Sequence, residues 1–173
     1  MVLDPVLGKE SDVTPSSLVI DGDSFAHRAY HGVPKSVRRR GNKGGGAILG
    51  FINFLLRLYT QEKPRAVLVG WDTLDAPTYR HCALGTYQGG RAFDAELMDQ
   101  LDVLPQFVAA CGLACAKAPG YEADDFLAAA VAQEERLGGT AVVARRPLTA
   151  IDAKGRPRSP RGRGSGSSSP ACR

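Results

Sequence analysis

Short apolar runs alternate with stretches of helical periodicity along this chain, and that alternation restricts the fold more than any other feature. Ser17-Leu18-Val19-Ile20, Ala66-Val67-Leu68-Val69-Gly70-Trp71 and Thr140-Ala141-Val142-Val143 read as strands buried on both faces, with a shorter strand from Leu113 to Ala118. Between them, Ala47 to Leu58 is apolar on nearly every side, which predicts a helix packed inside a layered domain and stopped by Pro64. Leu97, Leu101, Leu104, Val108 and Cys111 recur at three- or four-residue spacing and predict an amphipathic helix, kinked or split at Pro105. Ala123, Leu127, Ala130 and Val131 form one face of a further helix that ends near Gly138-Gly139. Strand-helix alternation of this kind implies an α/β fold of three layers, a mainly parallel central sheet with helices on both faces.

The alternation ends early. Residues 1–16 are polar and aperiodic and are expected to form a flexible leader, the folded unit is expected to span 17–143, and 144–173 form a basic low-complexity tail expected to be disordered. The net charge of +4 belongs to that tail: residues 1–144 hold 14 basic and 17 acidic side chains. A basic nucleic-acid-binding surface is therefore not implied by composition, although Arg38-Arg39-Arg40 with Lys43 forms a local cluster. With no 18-residue apolar run and no signal-peptide pattern, the chain is expected to be cytoplasmic, to have no membrane partner and to be monomeric. Cys82, Cys111, Cys115 and Cys172 have neither disulfide-framework nor zinc spacing and are expected to be reduced, partly buried thiols.

Acidic residues mark the carboxyl ends of the elements. Two strands run into Asp21 and Asp72, and Glu122-Ala123-Asp124-Asp125 opens a helix after a Pro-Gly turn. In an open parallel sheet those strand ends share one edge, where ligands bind. Carboxylates a few ångströms apart repel by roughly 1 to 4 kcal/mol per pair, and a helix N-terminus returns only about 0.3 to 1 kcal/mol. A hard divalent cation, Mg²⁺ or Mn²⁺, resolves that repulsion. A pair of such ions about 4 Å apart is suited to phosphodiester hydrolysis. Taken singly, each of these acids fits a cap or turn equally well.

Several motifs resemble a known family. Leu18-Val19-Ile20-Asp21-Gly22, His27-Arg28-Ala29-Tyr30-His31, Gly46-Ala47-Ile48-Leu49-Gly50-Phe51, the strand into Asp72, Thr78-Tyr79-Arg80-His81 and Gly120-Tyr121-Glu122-Ala123-Asp124-Asp125 are similar, in this order, to the 5′→3′ exonuclease domain of bacterial DNA polymerase I and its free-standing flap-endonuclease relatives. The resemblance implies a PIN-like domain, incomplete at its C-terminus, that cuts DNA at a 5′ flap, a nick or a single-stranded 5′ end. It implies that Asp21, Asp72, Glu122, Asp124 and Asp125 are catalytic metal ligands for two ions, and that Arg80, Arg91, Arg28 and Lys43 bind DNA phosphates. The pattern departs at Tyr87-Gln88-Gly89-Gly90-Arg91, which has glutamine where many relatives have lysine, and at Ala144. There a Gly-Asp-x-Asp motif and a helix-hairpin-helix are expected, and the basic tail stands instead. An out-of-frame reading of a GC-rich gene is one expectation for such a tail. Two other readings stay open: an inactive remnant that binds DNA weakly or not at all, and an aspartate-nucleophile phosphatase suggested by Val19-Ile20-Asp21-Gly22-Asp23-Ser24. Gly41-Asn42-Lys43-Gly44-Gly45-Gly46 lacks the strand that leads into a P-loop.

Overall fold

The computed structural model describes residues 15–73, 78, 80 and 94–145. Its sheet has four parallel strands in the order β5-β4-β1-β6, where β1 is Ser17–Asp21, β4 is Ala66–Gly70, β5 is Ala114–Ala116 and β6 is Ala141–Ala144. Two two-residue strands, β2 (Arg38–Arg39) and β3 (Lys43–Gly44), form a separate antiparallel hairpin. The helices are α1 (Gly22–Gly32), α2 (Gly46–Glu62), α3 (Ala95–Leu101), α4 (Leu104–Ala110) and α5 (Ala123–Arg136).

Register decides which strand residues face which layer. Leu18 lies beside Val67 and Val142, and Ile20 beside Val69 and Ala144. These six join Phe25 and Tyr30 of α1, Phe51 and Leu55 of α2, Leu97 and Leu101 of α3, and Leu104 and Val108 of α4 in one buried core. Alternation turns Val19, Leu68 and Gly70 to the other face, where α5 packs across β1, β4 and β6. Gly70 permits that approach, since a Cβ there would lie 2.9 Å from Leu127 Cδ1 and 3.0 Å from the Ala123 carbonyl oxygen. The three-layer α/β expectation holds.

Pro105 splits its helix, one of the two outcomes expected: α3 ends at Leu101, and the proline falls in the first turn of α4, where its missing N–H costs nothing. Differences from the sequence reading are local. Residues 22–32, to which periodicity assigned no element, form α1, and the Arg- and Gly-rich loop contains the β2–β3 hairpin. Ala144 is the last residue of β6 and is 2% exposed, one position past the expected end of the folded unit. Cys111 and Cys115 are free thiols but exposed, because one caps α4 and the other lies on the edge strand β5. Cys82 and Cys172 lie outside the described residues. Among the described residues no helix is long and apolar enough to cross a membrane.

Gly45 offers α2 no side chain as a cap, and Gln100 substitutes from α3. Its Oε1 accepts the Ala47 N–H at 2.9 Å and the Ile48 N–H at 3.4 Å, while its Nε2 donates to the Glu96 carbonyl at 3.0 Å. A fully buried amide is thus satisfied, and the N-terminus of α2 is fixed to α3.

Candidate active site at the carboxyl edge of the sheet

Parallel pairing sets the ends of β1, β4 and β6 side by side, with Asp21 beside Gly70 and Ile20 beside Ala144. Asp21 ends β1 and caps α1: its Oδ1 accepts the Ser24 N–H at 2.9 Å and its Oδ2 the Ser24 hydroxyl at 2.7 Å. Asp72 follows Trp71 just beyond β4, and its Oδ1 accepts the Ala123 N–H in the first turn of α5 at 2.7 Å. That bond brings the second strand end against the Glu122–Asp125 turn. Gly120, with φ of +84°, supplies the left-handed backbone that lets the chain turn into α5.

Glu122 is the N-cap of α5 and is buried, and Asp125 Oδ2 accepts its backbone N–H at 2.9 Å. Arg80 joins the two acids, donating from Nη1 to Glu122 Oε2 at 2.7 Å and from Nη2 to Asp125 Oδ1 at 2.7 Å. The Thr78 hydroxyl donates to Glu122 Oε1 at 3.1 Å. Asp124, on the other side of the turn, pairs with Arg145 at 2.6 Å.

The acids sense one another. Burial lifts the Asp72 carboxyl above its ordinary pKa, and the charges of Asp21, Glu122 and Asp124 lift it further. Asp124 is also raised, first by burial and then by Asp21 and Glu122, with Arg145 and Arg80 opposing. Four of the five predicted acids, drawn from three distant stretches, therefore share one electrostatic neighbourhood. Asp125 adjoins it through Glu122 and Arg80. Yet each acid is held on a local partner, and among the described residues no three His, Cys, Asp or Glu side chains are arranged to hold a metal ion.

Among the described residues, the expected phosphate ligands Arg28, Lys43 and Arg80 do not gather there as a set. Arg80 is at the site but engaged by carboxylates. Lys43 belongs to a different group, in which the β2–β3 hairpin docks on α3: Lys43 lies 3.6 Å from Asp99, Arg39 also pairs with Asp99, and Arg38 meets Glu96 at 2.5 Å. Arg28 is exposed on α1 and forms no ion pair among the described residues. Arg91 lies outside the described residues, as does His81; His27 and His31 are exposed on α1.

Asp23 is the site residue that sequence reasoning passed over. Its Oδ2 accepts the Asp72 N–H at 2.6 Å, tying α1 to the end of β4. The spacing Asp21-x-Asp23 was visible, but only the fold shows that the second acid turns toward Asp72. Burial, opposed by that hydrogen bond and assisted by the charges of Asp72 and Asp21, pushes its carboxyl up from 3.8 to about 7, with Lys117 a smaller lowering influence. The folded chain thus holds this proton more tightly than the unfolded chain does. Its stabilisation is complete below pH 3.8 and is lost as pH rises through about 7. Asp23→Asn retains the acceptor for the Asp72 N–H. In metal-free buffer it is expected to melt above the parent chain at pH 8 and level with it at pH 4 by circular dichroism; an advantage equal at both pH values contradicts this.

A family model described as the 5′-3′ exonuclease N-terminal resolvase-like domain matches residues 16–145. The chain belongs to that family. Thermostable DNA polymerase I of Thermus aquaticus is 38% identical to this exonuclease-family domain over 122 residues, 70% of this chain and 14% of the polymerase. A 5′-3′ exonuclease of Mycobacterium tuberculosis is 30% identical over 132 residues, 69% of this chain and 42% of that protein. The chain thus spans well under half the length of these relatives. Among solved structures, the T5 D15 protein co-crystallised with metal ions superposes with a TM-score of 0.53 at 14% identity, covering 76% of this chain and 49% of that one, and supports the fold.

Proposed function

We propose that this domain is a metal-dependent nuclease that hydrolyses DNA phosphodiester bonds near 5′ ends, at a flap, a nick or a single-stranded terminus. The observation that carries the reading is the mutual charge of Asp21, Asp72, Glu122 and Asp124 at one sheet edge, in a member of the 5′-3′ exonuclease family. The donor set fits a hard cation, since it is all carboxylate oxygen and burial, with the charges of neighbouring acids adding to it, raises Asp72 and Asp124. Asp21, Asp72 and Asp124 are the side chains proposed to hold Mg²⁺ or Mn²⁺, with Glu122 and Asp125 completing the acidic set, through water where needed. A bound ion would supply Lewis acidity at the phosphate and a nucleophilic water at neutral pH.

The chain's own groups do the positioning. Ser24 orients both oxygens of Asp21, and the Ala123 N–H orients Asp72, so neither has to be ordered when substrate arrives. Arg80 exchanges Glu122 and Asp125 for substrate phosphate and neutralises its charge, with Arg28 and Arg91 as further phosphate contacts. Lys43, already engaged by Asp99, is the least suited of the four. Engagement of Asp21 by Ser24 also argues against Asp21 as a phosphatase nucleophile.

Incubating the chain with 5′-labelled flap DNA tests the reading. Short 5′ products that need Mg²⁺ or Mn²⁺ and disappear with EDTA are expected. Their absence at high protein concentration favours the inactive-remnant reading, to which the spacing of the acids lends support.

A further inference from the structure

The strand neighbouring Asp21 delivers a cation to the acidic edge. β6 runs parallel to β1 with Ala144 beside Ile20, so Arg145 emerges level with Asp21. Its Nη2 reaches Asp124 Oδ2 at 2.6 Å. Arg80 neutralises Glu122 and Asp125 on the other side of the turn, so the α5 acids are distributed between two guanidinium groups. No other cation forms an ion pair with Asp124 among the described residues, and Arg145 is the largest influence opposing the burial that raises its carboxyl.

We infer that Arg145 is a built-in counter-ion that occupies the position of a cation at Asp124, so that a divalent ion must displace it to engage this carboxylate. The inference rests on the metal-centre reading given above. A half-exposed ion pair contributes little to folding. The same positive charge close to an entering dication is more costly, because the repulsion doubles with the ion's charge and the neighbourhood is partly shielded from water. Arg145 therefore acts mainly on ion affinity and only weakly on stability. Release of Asp124 is then one of the movements that bring the separated acids toward a shared ion.

Isothermal titration of Mn²⁺ into the full chain, the Arg145→Gln chain and the Arg145→Lys chain tests this. The glutamine variant, which removes the charge, is expected to bind Mn²⁺ about fivefold to thirtyfold more tightly in low salt. That gain should shrink as NaCl is raised. The lysine variant, which keeps the charge, is expected to stay within about twofold of the parent, and the melting temperatures of all three without metal are expected to be close. Equal affinity of the glutamine variant and the parent overturns the inference alone, as does a lysine variant that binds as tightly as the glutamine variant. Absence of Mn²⁺ binding by every chain overturns both the inference and the metal-centre reading.

Discussion

Asp72→Asn is expected to raise the melting temperature of the metal-free chain while lowering its metal-dependent cleavage of DNA by about a hundredfold or more. The two effects have one cause. Burial and the charges of Asp21, Glu122 and Asp124 hold the Asp72 carboxyl above its ordinary range, so ionised Asp72 is unfavourable in the folded chain near neutral pH. The stabilisation that its proton provides is complete below the ordinary carboxylate value and is lost as pH rises through the folded one. Asparagine keeps an oxygen for the Ala123 N–H and removes the charge, which relieves the neighbouring acids. It also removes an anionic oxygen from the proposed ion site. Melting curves at pH 8 without metal, beside cleavage of 5′-labelled DNA with saturating Mg²⁺, read the two effects separately. A variant that melts lower, or that cuts at the parental rate, contradicts the account.

Gly22→Val is expected to destabilise the fold strongly. Gly22 opens α1 directly after Asp21, and a Cβ there would stand 2.7 Å from Cε3 and Cζ3 of Trp71. The ring has little freedom to retreat. It is 1% exposed, its centroid lies 5.5 Å from that of Phe51, and its Nε1 donates to Cys115 Sγ at 3.1 Å. Overpacking against a fixed ring costs about 3 kcal/mol or more, which lowers the melting temperature by roughly 10 °C. Because Trp71 precedes Asp72, the shift also moves the end of β4 against α5, so activity should fall beyond what the loss of folded protein explains. Urea unfolding measures the first effect, and kcat per folded molecule the second. A variant as stable as the parent would show that Trp71 can move.

The features legible in the sequence were those that burial writes strongly. β1, β4 and β6 are unbroken apolar runs because both of their faces are covered, and the ends of β1 and β4 place Asp21 and Asp72 on one edge. The Glu122–Asp125 turn was legible for the same reason, standing between a Pro-Gly turn and an apolar helix face. α1 was hidden because one of its sides is wet: His27, Arg28 and His31 interrupt the apolar pattern that Phe25, Ala26, Ala29 and Tyr30 form toward the core. The β2–β3 hairpin has only two residues per strand, too few for alternation to register.

Charge partners were the least legible feature. Composition counts Arg80, Lys43 and Arg145 as cations but does not say which carboxylates they meet. Only the fold shows Arg80 on Glu122 and Asp125, Lys43 beside Asp99, and Arg145 on Asp124. The role of Asp23 was obscured in the same way, since its partner is a backbone N–H 49 residues away.

Anomalous diffraction from crystals of the chain grown with Mn²⁺ tests the central claim most directly. The account predicts a manganese peak at the sheet edge with oxygens of Asp72 and Asp124 about 2.0 to 2.3 Å away and Asp21 in contact directly or through water. Well-diffracting crystals with no peak there, or with manganese bound only elsewhere, would contradict it.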